Sequence, residues 1–168
     1  MVASLIIAKT ILITGLAVWA SILTLNNIRD KETNKKLVSE MMSMSRIKDN
    51  PEEGGSMLLN RAITSTAVHK ATIHLAILIQ LVIICLLWYT VYLFIHSFTG
   101  GHDTGETIKS AVIFANFSFS AMFVLWFLFL CGGLWHAYWI KMWDVQQVHM
   151  TMLIITILSI IFVNYKVI

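Results

Sequence analysis

Histidine is the side chain best suited to chemistry at neutral pH, because its imidazole can ligate a metal or move a proton. Four of the six histidines, His69, His74, His136 and His149, lie at the edges of long apolar runs. His69 and His74 begin the second run, His136 follows the third and His149 begins the fourth, so all four approach one side of whatever the runs build. Two neutral imidazoles from different helices could hold a haem iron, with Met41, Met42 or Met44 offering a thioether. His74, His136 and His149 are the candidate haem or ligand set. The competing reading weighs more: no pair has a cytochrome-like spacing within a helix, and histidines at such edges bond to headgroups or backbone. No resident cofactor is expected, haem b being the alternative.

Other chemistries find fewer residues. There is no G-x-S-x-G, H-E-x-x-H, P-loop or G-x-G-x-x-G pattern, and hence no catalytic set. Glu52 and Glu53 are adjacent, but in a Pro- and Gly-containing loop, "KDNPEEGGS", where solvated charge is the default. Cys85 and Cys131 both sit inside apolar runs. They read as buried thiols, and neither has a neighbour at zinc-ligand spacing, so no metal site is expected.

The elements that carry these residues follow from composition. Of 168 residues 58% are hydrophobic and only 12% charged, against about 25% charged in soluble domains. The chain belongs in a bilayer. Its uncharged start, with Lys9 inside the first run, reads as a retained helix rather than a signal peptide. A net charge of +3 without a basic block offers nothing to nucleic acid.

No Asp, Glu, Lys or Arg occurs between Lys9 and Arg29, Lys70 and Asp103, Lys109 and Lys141, or Asp144 and Lys166. Each gap can hold the roughly 20 apolar residues that span a hydrocarbon core, and in lipid such a segment must be helical to satisfy its backbone. The expected fold is all-α: four transmembrane helices at 3–26, 70–97, 109–132 and 146–166, in a single domain over 1–168. Lys9 is close enough to a helix end to snorkel. Small residues, Ala17 and Ser21, Ala111, Ala115 and Ser118, Thr156 and Ser159, mark faces where helices can pack closely.

The third gap is too long for one span, since its 31 residues would reach about 46 Å. Gly132-Gly133 is the expected break. Beyond it, on a wheel of about 100° per residue, Trp135, Tyr138, Trp139, Met142 and Trp143 share one arc while Lys141 and Asp144 point away. Segment 134–144 therefore reads as an in-plane amphipathic helix anchored by Trp135, Trp139 and Trp143. Segment 36–48 reads the same way, anchored by Leu37, Met41 and Met44. With four spans, both segments cap one membrane face. Nine of the twelve basic residues, Arg29, Lys31, Lys35, Lys36, Arg46, Lys48, Arg61, Lys70 and Lys141, belong to that face, which the positive-inside rule would place in the cytoplasm.

"WASILTLNNIRD" with Asn34 following, "SM" at 43–44, "RAI" at 61–63, and "GGLW" leading to "MWDVQQ" resemble a bacterial family of small integral membrane proteins, domain of unknown function family 2165. The residues that carry the resemblance are Trp19, Asn26, Asn27, Asp30, Asn34, Arg61, Gly132 and Gly133. It implies a four-helix protein of the bacterial inner membrane with no assigned activity. Two departures stand out: the family pattern has an acid after the two glycines, where this chain has Leu134, and Asn-Gly where it has Asp144-Val145. The family also carries basic residues in the second loop, implying the opposite orientation to the lysine count.

Helices two to four lack the carboxylate or base that ion coupling requires. The expected function is therefore a non-catalytic membrane subunit, in contact with lipid and with other membrane subunits or copies of itself, packed on a larger respiratory or transport complex. A small haem- or quinone-binding electron carrier is the alternative, and lipid or small-molecule binding under the cap is a third class.

Overall fold

The computed structural model describes residues 2–99 and 104–165. Among them the chain forms α1 (Val2–Arg29), α2 (Lys31–Ser43), α3 (Ser45–Lys48), two 3-10 turns (Pro51–Glu53 and Ser56–Arg61), α4 (Thr66–Thr99), α5 (Thr104–Trp135) and α6 (Trp143–Asn164), without strands. Four of these, α1, α4, α5 and α6, are long and apolar enough to cross a membrane. They extend past most of the limits set by charge. α4, with 34 residues, reaches about 51 Å, because threonine, histidine and lysine at an edge do not stop a helix; caps and left-handed residues do. Residue 166, the expected end of the fourth helix, lies outside the described residues.

α5 packs against both α4 and α6, and α1 packs on α4. Ile13, Ala17, Leu87, Phe94, Ala115, Phe119 and Val163 are fully buried where these helices meet. Among the small residues, Ala111, Ser118, Thr156 and Ser159 are also buried, as close approach of backbones requires. Their hydroxyls return to their own helices: Ser118 donates to Phe114 O at 2.8 Å, Thr156 to Met152 O at 2.8 Å and Ser159 to Ile155 O at 2.7 Å. No polar atom of these three is left for lipid to meet.

Lys9 does not snorkel. It is 8% exposed, and its Nζ donates to Val163 O at 2.7 Å and Tyr165 O at 2.9 Å. These carbonyls close α6, where a helix has unsatisfied acceptors and the negative end of its dipole. One buried ammonium thus ties α1 to the end of α6. The thiols also differ from expectation: Cys85 and Cys131 are free, and both are exposed on outer helix faces.

At the opposite end lies the cap. Asp30 accepts a hydrogen bond from Thr33 N at 3.2 Å and starts α2 one residue after α1 ends. The segment expected as one helix over 36–48 is broken at Met44, whose φ is 53° and which both ends α2 and begins α3. Its side chain is 2% exposed and packs with Ile47 and Ala137. Burial of the methionine, instead of a glycine, holds the left-handed turn.

The break near Gly132-Gly133 occurs, but the glycines do not make it. α5 continues through them to Trp135 and ends in a Schellman motif, with Tyr138 N bonded to Gly133 O at 3.0 Å and Ala137 N to Leu134 O at 3.1 Å. Ala137, with φ 53°, takes the left-handed position usually given to glycine. Gly133 serves a different purpose: a Cβ there would stand 2.5 Å from the Tyr138 ring, which lies flat on it. Residues 136–142 are consequently a turn, not the in-plane helix expected over 134–144, and α6 begins at Trp143. The wheel failed because one left-handed residue cancels the periodicity it assumes.

The first loop and this turn interlock. Arg46 holds Glu40 through two nitrogens at 2.6 and 2.7 Å and donates to Lys141 O at 3.2 Å. Lys141 pairs with Glu53, and Arg61 lies 4.8 Å over the Trp135 ring.

Candidate functional site

A cavity of about 320 Å³ lies beneath the cap. α1 and α6 are tied together by Lys9 at the other end of the bundle, and at the capped end Trp19, Leu23 and Asn27 of α1 face Val145, Val148 and His149 of α6 across this space. Leu37, Val38, Met41 and Met42 of α2 line it from the cap. Leu37 and Met41 therefore face the protein interior, and Met44 is buried in the cap core; the apolar face of α2 has found a partner within the chain.

Trp126 of α5 stands between the two parted helices. Its ring lies 6.2 Å from Trp19 on one side and 6.2 Å from His149 on the other. Phe129 and Tyr138 also pack on His149, at 5.0 and 6.1 Å. Trp126 is 3% exposed, and its Nε1–H has no acceptor among the described residues. Three amides add a polar edge: Asn34 donates to Asn27 Oδ1 at 3.2 Å, and Asn27 donates to Gln80 Oε1 at 3.0 Å, linking α2, α1 and α4.

The histidines divide. His136 and His149 both line the cavity, and each has an Nδ1 without a partner among the described residues. His74 is exposed on α4 and does not line it, so the three are not brought together. Among the described residues no three His, Cys, Asp or Glu side chains lie close enough to share a metal ion. His69, outside the candidate set, is the histidine near His136. It is 2% exposed and its Nε2–H donates to Ile63 O at 2.7 Å, closing the loop onto α4.

Burial holds the His136 imidazole below its ordinary pKa, and the neighbouring His69 adds to the effect. Burial also pushes the Tyr138 phenol up to about 12, with the Cys131 thiol contributing second. Both groups are neutral at pH 7, although Glu40, Arg46 and Lys141 stand beside them in the cap.

Most residues of the motif that resembles a known family meet here. Trp19, Asn27, Asn34, Gly132 and Gly133 line the cavity, Asp30 caps α2, and Arg61 stacks on Trp135; Asn26 is exposed. A family model described as a predicted small integral membrane protein matches residues 5–166. The chain belongs to this family, DUF2165. No curated protein and no solved structure matches it.

Sequence reasoning missed Trp126 and Gln80, although both are amphipathic residues inside otherwise apolar runs. That signal was available. Trp135, Trp139 and Trp143 remain exposed at the capped end, at 56%, 39% and 54%, though on a helix end, a turn and a helix start.

Proposed function

We propose that this DUF2165 protein is a non-catalytic accessory subunit of the bacterial cytoplasmic membrane, packed on a larger assembly such as a respiratory or transport complex. The observation that carries the reading is an aromatic patch on the outer face of α4 and α5. Tyr89 meets Phe114 edge-on at 4.6 Å and stacks with Tyr92 at 6.1 Å, and Phe114 meets Phe117 at 6.1 Å. Tyr92 and Phe117 are 55% and 58% exposed. Clustered tyrosine and phenylalanine are typical of interface cores, and a phenol gains from a hydrogen-bond partner that lipid chains do not offer. The proposal includes no catalysis by this chain and no resident cofactor.

Purification of the tagged protein from its native membrane in a mild detergent tests this, with a photo-crosslinking residue at Tyr92 to capture what lies on the patch. A membrane protein recovered in stoichiometric amount and crosslinked from Tyr92 supports the reading. Recovery of the isolated monomer or a homo-oligomer alone overturns it.

A further inference from the structure

We infer that the cavity under the cap binds one neutral amphiphile, which presents a carbonyl oxygen to the Trp126 indole and leaves its apolar chain in the bilayer. The inference stands apart from the subunit reading and rests on different residues.

Charge excludes an ionic head. Among the described residues that line the cavity there is no Asp, Glu, Lys or Arg, and a lone charge in such surroundings would cost several kcal/mol or more. The cationic groups near α2 gather elsewhere: Lys35, Lys36 and Lys70 outnumber Glu32 around a separate pocket of about 230 Å³. An anionic lipid would find its counter-charges there.

Hydrogen bonding selects the head. An indole Nε1–H can only donate, and leaving it buried without an acceptor costs about 1–3 kcal/mol. Trp126, with no acceptor among the described residues, offers this donor to an acceptor from outside them. The cavity-lining His136 and His149 each have a free Nδ1, and a neutral imidazole offers one donor and one acceptor. A carbonyl, in an ester or a quinone, matches the indole donor, and either imidazole can present a second N–H to it.

Size and position select the rest. A water occupies about 30 Å³ of liquid, so 320 Å³ holds on the order of ten such groups: a head and the first part of a chain. Leu128 and Val148 line the cavity and are also 51% and 55% exposed, which marks a side opening through which the remaining chain reaches lipid.

Two sources share this chemistry, an acyl-ester lipid and an isoprenoid quinone. The test uses the full-length protein, delipidated in detergent, with dioleoylglycerol and decyl-benzoquinone as separate probes and thermal unfolding as the readout. Saturable stabilisation by either probe is expected, since a ligand that binds only the folded state raises its stability with concentration. A response to dioleoylglycerol alone assigns an acyl lipid, a response to the quinone alone assigns a quinone, and a response to both supports the shared carbonyl chemistry. Trp126→Phe keeps the ring and removes the donor; it is expected to weaken the responding probe at least tenfold. Ala76→Phe fills the lining from α4 and is expected to abolish the response. The proposal is overturned if neither probe stabilises the wild-type protein, if Trp126→Phe binds as tightly, or if Ala76→Phe responds unchanged.

Discussion

Adjacent glycines in α5 offer a paired experiment on why this helix ends where it does. In a helix interior, alanine is favoured over glycine by about 1 kcal/mol, so helix propensity alone makes Gly132→Ala and Gly133→Ala equally stabilising. The structure separates them. A Cβ on Gly132 meets nothing within 4 Å, whereas a Cβ on Gly133 meets three atoms of the Tyr138 ring at 2.5, 2.5 and 2.7 Å. The ring cannot easily withdraw, because Tyr138 is 2% exposed and its backbone N–H closes the Schellman motif on Gly133 O. Overpacking of this kind costs about 1–3 kcal/mol. The propensity gain is common to both variants and cancels in the comparison. Gly133→Ala is therefore expected to be about 1–3 kcal/mol less stable than Gly132→Ala, read as thermal unfolding of the purified protein in one detergent. In a Tyr138→Ala background the gap is expected to vanish. Equal stability of the two single variants, or a gap that survives removal of the ring, would refute the argument that Gly133 exists to seat Tyr138.

Three further outcomes follow from other contacts. Lys9→Met orphans Val163 O and Tyr165 O at the end of α6 and is expected to cost about 1–2 kcal/mol, with faster hydrogen exchange confined to the last turn of α6. His136 is held below its ordinary value of 6.5, so the unfolded chain binds its proton first as pH falls. The His136 contribution to stability is complete above about 6.5 and shrinks as pH drops through the window below it; thermal melts from pH 7.5 to 5 should show this slope, and His136→Gln should flatten it. With Cys85 and Cys131 replaced by serine, single cysteines at Lys48 and Glu106 should label from opposite sides of sealed vesicles, because α4 crosses the membrane between them; labelling from one side would overturn the four-span topology.

The four spans were legible because lipid enforces a single rule. A long charge-free run must be largely helix, and each of the four such runs supplies one membrane-length helix among the described residues. Helix ends were less legible, since they depend on caps. Asp30 ahead of α2 is a local signal, but Met44 and Ala137 are left-handed without being glycine, and nothing in their side chains announces it. Their conformation is held by mutual burial with Ile47 across the cap, a long-range fact.

The same division holds for the site. Residue types alone determined that this protein resides in a bilayer, that four long runs carry no charged residue, and that four of its six histidines lie near one end. Only the tertiary structure decided which of them matter. It turned His74 outward, set His136 and His149 in the lining of one cavity, placed Trp126 between α1 and α6, and aimed Lys9 at the end of α6. The physical reason is one of range. Transfer into lipid acts on each segment by its own composition, whereas a cavity exists where helices part, and that depends on side chains far apart in the chain.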